Sequence, residues 1–204
     1  MPRFAANLSM MFTELPFLDR FDAAAKAGFR AVEFLFPYDF PAAEIAARLK
    51  AAGLQQVLFN APPGDWTKGE RGQAALPGRK DEFREGFRRA LDYAAALSCP
   101  RIHVMSGLMP AGVPHDTMTA VLAENLAWAA DLAGPAGVKP VIEPINHRDI
   151  PGFFLNTTDQ AAAIINAVGA EKVGMQFDLY HCQITEGDIV KRVERHLPLI
   201  AHMQ

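Results

Sequence analysis

Apolar residues along the chain fall into two alternating patterns, and the alternation predicts a repeating βα architecture. Short, near-continuous apolar runs lie at Phe4–Ser9, Ala31–Phe36, Gln55–Ala61, Arg101–Gly107, Lys139–Ile145, Val173–Tyr180 and Ile200–Gln204. Runs of that length suit parallel strands covered on both faces. Between them lie Ala- and Leu-rich stretches with helical spacing: Pro16–Gly28, Pro41–Gly53, Lys80–Leu97, Thr117–Ala133, Thr158–Val168 and Gly187–His196. In the first, Phe17, Leu18, Phe21 and Ala25 form one stripe, and Gly28 stands where a C-cap falls. In the fifth, Thr158 is the expected N-cap.

Seven strands alternating with six helices are compatible with an open doubly wound sheet or a closed barrel. The glycine fingerprint of a dinucleotide-binding sheet, G-x-G-x-x-G after a strand, is absent. Polar residues sit instead at the C-terminal ends of successive strands, as in a barrel. The expected class is therefore α/β, a TIM (β/α)₈ barrel. Such a barrel typically runs to about 250 residues, whereas this sequence reaches Gln204 at the end of the seventh strand. The expectation is one barrel domain over residues 1–204, truncated at its C-terminus. A partial barrel completed by another chain is the alternative, because open inner edges expose unpaired backbone.

Composition narrows the picture. Half of the 204 residues are apolar, 21% are charged, and the formal net charge is −3. That balance provides no general attraction for nucleic acid or an anionic membrane. The two cysteines, Cys99 and Cys182, form neither a CxxC pair nor a metal-spaced cluster. A reduced compartment fits. The N-terminus lacks the charged-then-apolar blocks of a signal peptide, and no run reaches the roughly 18 apolar residues of a membrane span. A soluble, cytoplasmic protein without nucleic-acid or membrane partners is expected; self-association into a homo-oligomer is left open.

Glu143, Asp178 and Gln204 close strand-like runs of otherwise apolar character. A buried carboxylate is costly unless paired or bound to metal. The period of two puts Val141 with Glu143, Gln176 with Asp178, and His202 with Gln204 on common faces. If those faces point inward, three oxygen ligands converge at the mouth of the barrel. Such a set suits a hard divalent ion, Mg²⁺ or Mn²⁺, better than a thiolate-type zinc site. The structural alternative is a buried salt bridge from each carboxylate, and an ordinary strand-end amide at Gln204. His103 and His202, within strands, read as satisfied core residues. His181, three positions past Asp178, is placed to touch a bound substrate. Glu33 reads as a structural ion-pair partner.

The longest connection, Ala61–Arg79, reads as a mobile lid over the same end of the barrel. In it Trp66 is a candidate to seal the site, and Lys68 or Arg71 to hold a substrate carboxylate. Arg148, after the fifth strand, is a further candidate. Solvated loop charge is the alternative for all three cations. No G-x-S-x-G elbow, P-loop or H-E-x-x-H motif is present.

Four segments together carry a family resemblance: Phe-Ala-Ala-Asn-Leu-Ser-Met-Met-Phe from Phe4, Phe-Asn-Ala-Pro-Pro-Gly-Asp-Trp from Phe59 with Gly-Glu-Arg-Gly from Gly69, Ile-Glu-Pro-Ile-Asn-His-Arg-Asp-Ile-Pro-Gly-Phe-Phe from Ile142, and Gln-Phe-Asp-Leu-Tyr-His-Cys-Gln from Gln176. The chain resembles the hydroxypyruvate isomerases, within the xylose-isomerase-like TIM barrels. The family includes 2-oxo-tetronate isomerases that look nearly identical over these segments. The resemblance implies a divalent metal held by Glu143, Asp178 and Gln204, with a further glutamate from an eighth strand. It also implies that Glu143 and that glutamate serve as proton donor and acceptor. In the related ketose 3-epimerases a similar Asp-x-x-His histidine contacts substrate, which supports His181. No residue after Gln204 supplies the second glutamate, so the sequence as given is expected to be catalytically incomplete.

The implied reaction interconverts hydroxypyruvate and tartronate semialdehyde by proton transfer through an enediolate. The alternatives are 2-oxo-tetronate isomerisation, sugar 3-epimerisation and a non-catalytic binding barrel. An endonuclease IV-like DNA-repair barrel would call for a histidine-rich multi-zinc cluster and a basic face. Neither is in the sequence.

Overall fold

The computed structural model describes residues 3–204. Seven strands, β1 (Ala6–Asn7), β2 (Ala31–Glu33), β3 (Gln55–Asn60), β4 (Arg101–His103), β5 (Lys139–Ile142), β6 (Gly174–Phe177) and β7 (Ile200–Met203), pair in sequence order, each parallel to the next. Helices α1 (Arg20–Lys26), α2 (Ala42–Ala52), α3 (Lys80–Leu97), α4 (His115–Ala133), α5 (Thr158–Val168), α6 (Leu179–Thr185) and α7 (Ile189–His196) fill the crossovers. Among the described residues β1 and β7 do not pair with each other. No described helix is long and apolar enough to cross a membrane.

The sheet is curled. Five strand spacings of a flat sheet would separate β2 from β7 by about 24 Å. Yet Glu33 on β2 accepts hydrogen bonds from Gln204 and holds His202 Nε2 at 2.7 Å. Only a sheet rolled toward closure brings them together, as the barrel expectation requires.

The period of two sorts the strand residues into unlike faces. Val32, Phe34, Phe59, Ile102, Val104, Ile142, Met175 and Phe177 point outward into a core shared with Phe21, Ile45, Phe87, Leu122, Leu126 and Ile165 of the helices. Each such side chain contributes roughly 1.5–3 kcal/mol by leaving water. The alternate positions include Glu33, Gln56, Asn60, His103, Glu143 and Gln176, all buried and all polar. The barrel is thus held together mainly from outside, and its lumen sets these polar groups beside Leu58 and Val141.

Local signals explain the boundaries, with three corrections. Pro41 and Pro114 precede α2 and α4, and Gly53 closes α2 in the left-handed conformation, φ 65°. The first helix begins as a 3₁₀ turn, Phe17–Asp19, and becomes α-helical only at Arg20. The N-cap of α5 is Thr157, not Thr158, because the Thr157 hydroxyl accepts the Gln160 N–H at 3.2 Å. The sixth strand ends at Phe177 rather than Tyr180. There Asp178 caps a seventh helix, α6, which apolar content alone had merged with the strand.

Candidate active site

The C-terminal ends of β5 and β6 carry the densest cluster of titratable groups. Glu143 follows β5 immediately, and its side chain is 7% exposed. Asp178 follows β6 immediately, and its Oδ1 accepts the His181 backbone N–H at 2.7 Å. The Asp-x-x-His spacing is therefore an N-cap bond: the carboxylate that starts α6 also fixes where His181 stands. One ligand atom from each of Glu143, Asp178 and His181 lies within 4.8 Å of the others. No other such group of three His, Cys, Asp or Glu side chains occurs among the described residues.

Electrostatically this corner is strained. Burial, above all, and then the Asp178 and Glu33 charges raise the Glu143 carboxyl well above its ordinary range, while a Gln176 hydrogen bond opposes them. No described Lys or Arg pairs with Glu143 or Asp178; the near neighbours of Glu143 are His103 Nδ1 at 3.6 Å and His181 Nε2 at 4.0 Å. The first of these contacts is not an ion pair. Burial pushes His103 down to about 3, with help from His181, so its ring is neutral at physiological pH. His181 is also lowered, chiefly by burial, against the attraction of Asp178 and Asp149.

His103 departs from the expected satisfied core residue. It is buried, but neither ring nitrogen has a hydrogen-bond partner among the described residues. His202 and Glu33 do pair, at 2.7 Å, as the structural reading of Glu33 anticipated. Gln204 also lies inside the barrel, yet its amide is engaged: Oε1 accepts from Gln176 Nε2 at 2.7 Å and Nε2 donates to Glu33. Gln176 thereby links the Glu33 network to Glu143.

The connection after β3 is not a free flap along its whole length. Gly72 bridges Ser106, the Ala75 N–H donates to the Ser106 carbonyl at 2.8 Å, and Asn125 holds the Ala74 carbonyl at 2.8 Å. Gly72 is needed there, because at φ 114° a Cβ would stand 2.3 Å from the Met105 carbonyl oxygen. The more exposed stretch is its first half. In it the Arg71 guanidinium stacks 3.8 Å over the Trp66 ring, which leans on Phe36 at 5.2 Å. Lys68 is 81% exposed and paired with Asp65 at 2.9 Å. Arg148 is exposed, its backbone N–H bonded to Asn146 Oδ1. Trp66 and Arg71 thus form one unit, while Lys68 and Arg148 stand in solvent.

One residue not singled out in the sequence joins the cluster: Asn146, fully buried, stands 2.6 Å from the His181 ring. Gln176, placed on the face of Asp178 by the period of two, steadies the Glu143 carboxylate. The Asn-x-Arg-Asp run after Glu143 was the available signal, since Asn at a strand exit commonly binds backbone two or three residues on. A cavity of about 420 Å³ lies elsewhere, lined by Val138, Lys139 and Lys172 at the N-terminal ends of β5 and β6. Chemistry rather than cavity size locates the site, since barrel sites form at the C-terminal ends.

Residues 21–204 match the model of the xylose isomerase-like TIM barrel family. The whole chain aligns with a 2-oxo-tetronate isomerase of Cupriavidus necator, 58% identical over 78% of that protein. It aligns likewise with a hydroxypyruvate isomerase of Escherichia coli, 45% identical over 79% of it. Among solved structures, an AP endonuclease, family 2, from Brucella melitensis superposes on the whole chain with TM-score 0.98 and 48% identity, over 79% of its own length.

Proposed function

The chain belongs to the xylose isomerase-like TIM barrel family, and on that premise we propose that it is a metal-dependent isomerase interconverting hydroxypyruvate and tartronate semialdehyde. At the coarser level it is an isomerase of small hydroxy-keto acids. The observation that carries the finer reading is the pair of carboxylates, Glu143 and Asp178, converging inside the barrel with no described Lys or Arg against them.

That pair fits a divalent cation. A buried carboxyl raised by burial and by the carboxylate beside it is the arrangement a cation relieves. Glu143 and Asp178 would hold it, with Gln204 joining once its amide turns from Gln176. Mg²⁺ or Mn²⁺ suits such oxygen donors. When bound, the ion would polarise the substrate's carbonyl and hydroxyl oxygens and stabilise negative charge developing on them.

The remaining work falls to the chain's own groups. Hydroxypyruvate loses a proton from C3, gains one at C2, and its hydroxyl proton moves from O3 to O2, so the two acids differ only in the placement of hydrogen. Glu143 is the candidate to exchange one of these carbon-bound protons, because it stands in the converging group and burial raises its carboxyl above the ordinary range. His181 faces the same space and is suited to hydrogen-bond a substrate oxygen. Trp66 with Arg71 is the candidate cover, the guanidinium being available to a substrate carboxylate. Lys68 and Arg148 would have to swing inward to contribute.

A second reading, 2-oxo-tetronate isomerisation, is favoured by the 58% identity to the Cupriavidus necator relative. The two substrates share the reacting carbons and differ in chain length. DNA repair, which the name of the Brucella melitensis structure would suggest, finds no support in a chain of net charge −3 whose one metal-capable group among the described residues contains a single histidine. The test is turnover of both acids by the natural polypeptide carrying these residues, with Mg²⁺ or Mn²⁺ and after chelation. Chelator-sensitive turnover of hydroxypyruvate is expected; turnover of neither acid under any metal condition would overturn the reading.

A further inference from the structure

We propose that Asn146 is a positioning residue that sets the tautomer of His181, making that ring an Nε2–H donor to substrate and barring it from the metal. The proposal deepens the isomerase reading and takes from it that a substrate oxygen occupies the space beside Glu143.

The argument begins with the amide itself. Asn146 Oδ1 lies 2.9 Å from both the Arg148 and the Asp149 backbone N–H groups. Both are donors, so the atom facing them must be the oxygen, and the orientation of the amide is fixed. Its NH₂ group is left to point at Asp149 Oδ2, 3.1 Å away, and at His181 Nδ1, 2.6 Å away. The amide is fully buried and has no freedom to turn without orphaning two N–H groups.

An NH₂ donor at 2.6 Å requires a lone pair opposite it. His181 Nδ1 must therefore be unprotonated, which excludes the imidazolium as well as the Nδ1–H tautomer. The ring's one proton sits on Nε2, and Nε2 is the atom that faces Glu143 Oε1 at 4.0 Å. Nδ1 is already used and Nε2 has no lone pair to give. Of the three groups that converge here, only Glu143 and Asp178 are then free to bind a cation. The third offers an N–H to an oxygen that gains negative charge in the reaction, the role of an oxyanion-type donor.

A paired substitution tests this directly. Asn146→Asp with Asp149→Asn keeps an oxygen for the two backbone N–H groups and preserves local charge, but it sets an acceptor against His181 Nδ1. The ring is then expected to carry its proton on Nδ1. The readout is ¹⁵N NMR of histidine rings in the metal-free natural polypeptide, which distinguishes protonated from unprotonated nitrogens without any activity. Expected are an Nε2–H ring in the wild type and in Asp149→Asn alone, and an Nδ1–H ring in the double variant. A wild-type ring protonated on Nδ1 would overturn the proposal, whether or not the double variant folds.

Kinetics supply the second readout. Removing one well-placed donor costs about 10²–10³-fold in turnover, so the double variant should lose kcat by that factor with KM little changed. Wild-type kcat in a variant whose ring tautomer has reversed would equally overturn it. Should the wild-type tautomer be as expected while no hydroxy-keto acid is turned over, the isomerase reading fails and the Asn146 assignment stands.

Discussion

Replacing Glu143 by Gln should have opposite effects on stability with and without metal, and the reversal follows from one buried carboxyl. The substitution keeps shape and volume, so no cavity term enters. In the metal-free protein the folded state raises the pKa of Glu143 through burial and the neighbouring Asp178 charge. The folded state therefore keeps a proton that the unfolded chain releases once pH passes the ordinary carboxylate range, near 4.3. Because the native state binds more protons in that window, stability falls as pH rises through it, up to the raised pKa. Each unit of elevation costs the folded state about 1.4 kcal/mol above both values. The glutamine variant carries no such group. In chelator at pH 8 it should be more stable than wild type by about 1 kcal/mol or more, and the gap should close near pH 4.

Added Mg²⁺ inverts the order. Metal at a hundredfold excess over its dissociation constant stabilises the native state by about 2.7 kcal/mol, and the variant lacks one of the charged ligands. Urea unfolding followed by Trp fluorescence at pH 4, 6 and 8, in chelator and in Mg²⁺, reads both effects. Turnover should fall by about 10²–10⁴-fold. A variant less stable than wild type in chelator at pH 8, or stabilised by Mg²⁺ as much as wild type, would refute the reasoning.

Other perturbations follow from the same geometry. Glu33→Ala strips the partner from His202, Gln204 and Asn7 together, and leaving a buried polar group unpartnered typically costs about 1–3 kcal/mol; a loss under about 1 kcal/mol in urea unfolding would show that this network does not hold β2 against β7. Gly72→Ala places a Cβ against the Met105 carbonyl, so about 1–3 kcal/mol of backbone strain should free the second half of the β3–α3 connection. Hydrogen exchange should then quicken at residues 72–76 while the strands keep their protection; unchanged protection there would contradict the pinning. In the wild type the first half of that connection should exchange faster than the second, and addition of hydroxypyruvate with Mg²⁺ should slow it.

The alternation of apolar runs made the barrel legible, because burial on both faces leaves strands near-continuously apolar. The inward parity of Glu143, Gln176 and Gln204 was legible too, since a period of two needs only the strand register. Helix α6 was hidden: Leu179 and Tyr180 extend the apolar run of β6, and the signal that ends it is the single cap at Asp178. The two halves of the Ala61–Arg79 connection read alike, because Gly72 and Ala75 are pinned by backbone bonds to a distant loop. Asn146 escaped notice for a related reason. Its Asx turn is local, but the contact that gives it chemical meaning spans 35 residues to His181. Side chains that act through a partner on another strand become visible only when the sheet curls.

The central claim, that Glu143 exchanges one carbon-bound proton of a hydroxy-keto acid beside a bound divalent ion, is tested most directly by turnover in D₂O. Hydroxypyruvate would be converted by the natural polypeptide with Mg²⁺, and the product read by NMR and mass spectrometry. Proton transfer through a carboxyl that exchanges with solvent predicts tartronate semialdehyde carrying deuterium at C2, formed only with metal present and lost in Glu143→Gln. Product formed at full rate without solvent deuterium at C2, or with undiminished turnover in the variant, would contradict the account.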